Sequence, residues 1–290
     1  MQILANALVS AAGYLLVGVG FSLIYTSTRF FHFAHGIVLT AGAYVTFILK
    51  VWSGFPLSIS IFGGIIASTL LGIGMEWNIY RPLRRRNASP TILLLASLGI
   101  YAALQALISL TFGSGTKTFR SSVVPTGLLI TGIRVTGPQI AIIVISGACC
   151  LVVWLLLRYI RVGKMIRAVA CDPDLAEVFG LNRDYIIRVV FLIGSALAGI
   201  AGVLLTYDAD MTPMMGLRVL LMGMVAVIIG GIGEISGIAL GALLLGLAQH
   251  LTAWWFSSRW QDAIVFVILI LFLLVRPQGF LGKPLRKTAI

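Results

Sequence analysis

His32 and His35 stand three residues apart in HFAHG, a spacing that lets two imidazoles share one helix face, as metal binding or proton transfer would require. The remaining parts of such a site are missing. There is no HExxH, and Glu76 and Asp262 are too distant in sequence to read as a third ligand. A structural or interfacial role is the simpler expectation for the pair. GSGTKT, residues 113–118, invites comparison with a phosphate-cradling loop. That loop needs GxxxxGK[ST] between a strand and a helix, whereas here Thr116 separates the glycine from Lys117 and the flanks are apolar runs. It reads as a turn. The acids Glu76, Asp172, Asp174, Glu177, Asp184, Asp208, Asp210, Glu234 and Asp262 all fall at the ends of apolar runs or in the links between them. No membrane-embedded proton relay is expected from them, although a sodium site built from carbonyls and hydroxyls would escape this test. Cys149, Cys150 and Cys171 have neither metal-ligand nor disulfide spacing. The residues therefore suggest no catalytic site, no metal and no cofactor held by this chain.

The elements that carry these residues are written in apolar side chains. Of 290 residues, 59% are hydrophobic and 10% charged, with a mean hydropathy of +1.05, far from the roughly one-quarter charged composition of soluble domains. The expectation is an all-α polytopic membrane protein, one transmembrane domain over 1–290 with eight or nine transmembrane helices. The 32 glycines suit close helix packing in lipid. Apolar runs long enough to cross roughly 30 Å of hydrocarbon lie near 4–25, 55–77, 92–110, 138–157, 188–207, 215–233, 235–251 and 262–275. A further run, 33–49, is short and opens on His32, His35 and Gly36. It reads as a broken or re-entrant helix enclosed by protein rather than lipid. The first run has no preceding Lys or Arg and no small-residue cleavage site, so it is expected to be retained.

The formal charge of +12 does not point to nucleic acid, because the basic residues sit in short connections. Arg81, Arg84, Arg85 and Arg86 fill one link. Arg158, Arg161, Lys164, Arg167, Arg183 and Arg188 fill or border a second, and Arg276, Lys283, Arg286 and Lys287 follow the last run. Even numbers of crossings separate the three regions, so all three can be cytoplasmic. If 33–49 is a full crossing the N-terminus lies outside, with Arg29 and the two histidines near the inner face. Residues 111–137, 208–214 and 254–261 are then outer links, although Lys117, Arg120 and Arg134 run against the charge bias. Trp254, Trp255, Phe256 and Trp260 form an interfacial aromatic belt.

RVGKMIRAVACDPDLAEVFGL, residues 161–181, holds six charged residues in a chain where one residue in ten is charged. Helix is expected to continue from the preceding span through residue 170, with Arg161, Lys164 and Arg167 spaced by three. Asp172 supplies an N-cap, Pro173 occupies a position where a missing N–H costs nothing, and Asp174 and Glu177 lie near the positive end of a new helix that Gly180 stops. That helix has barely two turns, with Leu175, Val178 and Phe179 on one side. It is too short to be stable alone in water, so its apolar side needs a surface, either the inner ends of neighbouring spans or another protein.

Taken in order, several motifs resemble the membrane subunits of bacterial ABC importers for branched-chain amino acids. They are Phe33-Ala34-His35-Gly36, Arg81-Pro82-Leu83-Arg84, Gly163-Lys164-Met165-Ile166-Arg167-Ala168 followed by Asp172-Pro173 and Gly180-Leu181-Asn182, Ala198-Gly199-Ile200-Ala201-Gly202, Gly230-Gly231-Ile232-Gly233 and Val275-Arg276-Pro277-Gln278-Gly279. The resemblance covers nearly the whole chain and is to the shorter of the two homologous permeases. It implies a bacterial inner-membrane complex with a second permease, two cytoplasmic ATPases that hold ATP and Mg, and an outer substrate-binding protein.

It further implies that the loop 158–187 couples the permease to the ATPases. Gly163, Lys164, Arg167, Asp172, Pro173, Asp174, Leu175, Glu177, Val178, Phe179 and Gly180 would form the coupling segment. In that reading Leu175, Val178 and Phe179 fill a groove in the ATPase, with Arg167, Asp174 and Glu177 as its polar rim. For the translocation pathway the candidates are His35, Gly36, Thr40, Gly42, Ala43 and Tyr44 on the broken segment and Met222, Val225 and Ala226 on a later one. Ordinary helix packing is the competing reading for each. Met222 stands where relatives often carry lysine, and Glu234 where they have a small residue. Similar permeases carry urea, short amides or other amino acids, and an ion-coupled carrier acting alone is the rival from another mechanistic class.

Overall fold

A long helix, α1 (Gln2–Thr28), lies at the centre of the bundle, packed against four other long helices. The computed structural model describes residues 1–119, 127–130 and 133–282; Arg120, Lys283, Arg286 and Lys287 lie outside the described residues. After α1 come α2 (His35–Phe47), whose last residues continue as a π-helical turn to Trp52, and α3 (Leu57–Met75), which runs through a second π-helical turn, Glu76–Tyr80, into α4 (Arg81–Arg85). Then follow α5 (Pro90–Phe112), a small antiparallel hairpin of β1 (Leu128–Ile130) and β2 (Ile133–Val135), and α6 (Gly137–Tyr159). Two short helices, α7 (Arg161–Cys171) and α8 (Pro173–Val178), lead to α9 (Arg183–Asp208), α10 (Met215–Gly230), α11 (Ile235–Trp255) and α12 (Gln261–Val275).

Eight stretches among the described residues are long and apolar enough to cross a membrane, and α10 is a shorter apolar helix. Apolar residues surround these helices on every side, so which face turns inward is set by packing and not by an amphipathic period. Glycines let the backbones close up. A Cβ on Gly36 of α2 would lie 2.8 Å from the Gly216 carbonyl oxygen of α10, so these two backbones touch directly.

The early segment is both broken and a crossing. Arg29, in a left-handed conformation after α1, hydrogen-bonds through its guanidinium to the Ala170 carbonyl at the end of α7. That places it at the arginine-rich end of the bundle. Trp52, at the other end of the segment, stacks on Phe112 with ring centroids 5.2 Å apart, at the far end of α5. Residues 29–34 therefore climb into the bundle as non-helical backbone before α2 begins. The His35 ring lies beside Gly20, eight residues before the end of α1 and so about 12 Å along its axis. The two histidines, expected near the inner face, are instead deep inside and fully buried. Chain ends and links then alternate. Gln2 bonds the Arg134 backbone at the end opposite Arg29, so the N-terminus sits at the end away from the arginines.

Backbone that leaves the helix at this depth needs partners. Ser97 of α5 supplies them: its Oγ accepts from Phe33 N at 3.1 Å and shares its one proton between Phe31 O at 3.2 Å and Leu94 O at 2.8 Å. Phe30, His32 and Ala34 are enclosed, and the Tyr80 hydroxyl meets His32 Nδ1 at 3.1 Å. The loop before α10 also dips inward, where Met211 is fully buried and its backbone bridges Lys117.

At the arginine-rich end, the π-helical turn after α3 carries Glu76, which is wholly buried. Arg84 reaches back to it, Nη1 to Oε2 at 2.9 Å, and also meets Asp184 of α9; Arg81 Nε meets Asp184 Oδ2 at 2.9 Å. A buried carboxylate is tolerated here because a guanidinium fork matches it. Arg84→Ala should therefore destabilise the protein by about 3–5 kcal/mol by stranding Glu76. Thermal unfolding in detergent should show a large drop for Arg84→Ala and partial recovery in Arg84→Met combined with Glu76→Gln. Equal unfolding temperatures in all three proteins would show that the pair carries no structural weight.

Candidate functional site

The charged block 161–181 is built as a bracket on the arginine-rich end. Helix does not run unbroken from α6 into residue 170, as the sequence suggested. It stops at Tyr159, and Ile160 adopts an extended backbone before α7 begins. The cause is local. Gly163 packs its bare α-carbon against the last turn of α6, where a Cβ would overlap the Leu156 carbonyl oxygen and the Leu157 backbone. On α7, Gly163, Ile166 and Val169 form the buried stripe, and Arg161, Lys164 and Arg167 form the exposed one. The Arg29 contact pins the far end of α7 to the end of α1.

Both ends of α8 are closed as its residues dictate. Asp172 Oδ1 accepts from Asp174 N at 3.1 Å and Leu175 N at 3.0 Å, and Pro173 takes the first helical position. At the other end Gly180 is left-handed, with φ of 81°; Leu181 N donates to Ala176 O and Gly180 N to Glu177 O, the paired bonds of a Schellman stop. Ala176 alone faces the bundle. Leu175, Val178 and Phe179 are 53%, 82% and 76% exposed, and Asp174 and Glu177 are exposed beside them. A helix of six residues thus spends its apolar side chains outward, held in place by its caps and by α7.

The expected pathway residues occupy a different region, and the structure splits them. His35, Gly36, Thr40, Gly42, Ala43 and Tyr44 are all buried on α2 between α3, α9 and α10. Thr40 Oγ1 donates to the Gly36 carbonyl, and the Tyr44 ring lies 4.7 Å from that of Phe112. Met222, Val225 and Ala226 are buried on another face of α10, in a cluster with Ala11, Ala242, Leu245 and Val265 from α1, α11 and α12. Gly36 and Thr40 meet the first turn of α10 at Gly216, but the Met222 group lies further along that helix and does not join them.

His32 and His35 face one another with ring centroids 6.0 Å apart, and no group of three His, Cys, Asp or Glu residues able to hold a metal occurs among the described residues. Two features escaped sequence reasoning. The Arg29–Ala170 contact is signalled only by a lone arginine after the first apolar run, and Glu76, placed in sequence at the end of an apolar run, is a buried partner of Arg84.

The family model described as branched-chain amino acid transport system, permease component, matches residues 3–273. The LivH protein of Escherichia coli K12, named a high-affinity branched-chain amino acid transport system permease, is 32% identical over 98% of this chain and 96% of its own. BraD of Pseudomonas aeruginosa, with the same description, is 33% identical over the same shares. Among solved structures, PsaBC from Streptococcus pneumoniae in complex with Fab superposes with a TM-score of 0.54 at 14% identity, covering 96% of this chain and 93% of that one, which shows a shared fold. With motifs in order, a multi-pass helical bundle and full-length relatives, the chain belongs to the permease-component family of branched-chain amino-acid transport systems.

Proposed function

We propose that this chain forms one wall of an ATP-driven importer for leucine, isoleucine and valine, and that residues 158–187 connect it to a separate ATPase. The observation that carries this reading is the outward apolar trio on a doubly capped helix. Leu175, Val178 and Phe179 stand exposed at the arginine-rich end of a membrane protein, which the charge bias of membrane proteins assigns to the cytoplasm. Burying the three in a groove would contribute on the order of 5 kcal/mol before ordering costs. Arg167, Asp174 and Glu177 offer a charged rim around them.

In this reading the partners are a second permease, two ATPases that bind ATP and Mg, and an outer substrate-binding protein; this chain holds no nucleotide. Gly163, Lys164 and the capped turn Asp172–Pro173 mount the docking helix, and Gly180 releases the chain into α9. Movement of the ATPase pushes α8, and the push reaches α6, α1 and α9 through contact alone. The pathway candidates on α2 and α10 are closed in this arrangement. An inward path along His35, Gly36, Thr40, Gly42, Ala43 and Tyr44 requires α2 to part from α10 at the Gly36–Gly216 contact, while Met222, Val225 and Ala226 follow α10 as it moves. Small residues at that contact make separation and reclosure inexpensive in side-chain rearrangement.

Phe179→Glu is expected to leave the bundle folded, since the side chain is exposed, yet to weaken ATPase association roughly 100-fold by replacing an apolar anchor with a charge. Co-purification and leucine-driven ATP hydrolysis in reconstituted vesicles would both fall; undiminished assembly and uptake would remove Phe179 from the interface. Uptake of leucine but not urea is the expected selectivity of the same vesicles, and the reverse would reassign the cargo. A gentler change tests the mount. Asp172→Ala should cost about 1 kcal/mol of helix stability, and amide hydrogen exchange at Asp174 and Leu175 should quicken, with Asp172→Asn close to wild type.

A further inference from the structure

Where α8 hands over to α9, a cavity of about 740 Å³ opens between the end of α1, the α4–α5 turn, α8 and the start of α9. Four arginines line it: Arg29, Arg84, Arg85 and Arg183. The protein meets their charge only in part. Arg84 is engaged with Glu76 and Asp184, and Asp184 is already shared with Arg81 and Arg85. Arg29 spends a donor on the Ala170 carbonyl, and Arg183 has its Nε enclosed with no acceptor. Neither Arg29 nor Arg183 has a carboxylate within ion-pair distance among the described residues. Glu177, the remaining acid in the wall, pairs with neither. The first turns of two long helices, α5 behind its Ser89 cap and α9 behind its Asn182 cap, also border the space and add the positive ends of their dipoles.

We propose that this cavity binds a phosphate-bearing anion. Guanidinium groups arriving from α1, α4 and α9 need an acceptor that offers oxygens in several directions. A phosphate does so, whereas a single carboxylate satisfies one fork. Basic pockets between membrane helices at the cytoplasmic side are where anionic headgroups dock, and that leaflet is rich in them. A headgroup phosphate and free phosphate share this chemistry. Either one, seated here, would join Arg29 at the end of the central helix to Arg183 at the exit of the docking helix, so its occupancy would stiffen the link between α8 and the bundle.

The test uses the full-length chain in detergent, with native mass spectrometry after addition of phosphatidylglycerol or phosphatidylcholine and, separately, thermal unfolding with inorganic phosphate. One retained phosphatidylglycerol per chain, displaced by phosphate and weakened at least tenfold in Arg183→Gln, assigns a lipid headgroup. Stabilisation by phosphate that Arg183→Gln abolishes, without retained lipid, assigns free phosphate. Glu177→Gln lies on an exposed surface and leaves the fold intact; removing its repulsion should tighten binding several-fold. Failure of both anions to bind the wild-type chain, or equal binding by wild type, Arg183→Gln and Glu177→Gln, would overturn the proposal. So would a carboxylate of an ATPase subunit filling the cavity in the assembled particle.

Discussion

Peptide groups that leave a helix inside a bilayer must find hydrogen bonds in protein, and six residues of this chain do leave one there. Residues 29–34 pass from the arginine-rich end to the interior between the last bond of α1, Arg29 N to Tyr25 O, and the first bonds of α2, and the molecule is arranged around enclosing them. Ser97 of α5 serves both a backbone N–H and a carbonyl of that stretch, Tyr80 meets His32, and Phe191 of α9 lies against the same imidazole. Around this strand of backbone α1, α3, α5 and α9 must stand close. Glycine at 20 and 194 lets α1 and α9 close up beside the His35 ring, and glycine at 72 and 199 does the same between α3 and α9.

The same need for enclosure separates the two candidate regions. Deep in the bundle, polar atoms are few and their neighbours fixed, so α2 and α10 approach through bare backbone. At the arginine-rich end water is available, and charge can be used freely: three arginines of the R-P-L-R link and its neighbour hold Asp184 and the buried Glu76. This ties α3 and α4 to the start of α9, the helix that follows α8. α8 is consequently set on a charged and well-braced base, although its own outward face is apolar.

Much of this was legible in residue order. The apolar runs marked the crossings because the thickness of hydrocarbon demands some twenty apolar residues, and the Asp172, Pro173 and Gly180 signals marked α8 because caps are local chemistry. The break at Ile160 was not legible, since it arises from Gly163 meeting a helix that precedes it in the chain and not from any local stop signal. The depth of His32 and His35 was hidden for a similar reason: nothing near residue 30 says that the chain leaves the helix and climbs into the bundle. Helices that are apolar all round concealed which of their residues meet, so Met222 could not be told apart from the α2 group by spacing. Arg29 and Arg183 looked like ordinary topology markers until four elements brought them to one wall.

The corner between α6 and α7 has no slack. With Gly163 seated on the last turn of α6 and the other end of α7 held by Arg29, the short amphipathic arm is clamped at both of its ends. A clamped arm cannot absorb displacement by bending, so torque applied at its tip must rotate the whole of the outer helix and tug the central one together. Any larger side chain at residue 163 would pry the corner open and turn a stiff crank into a loose strap.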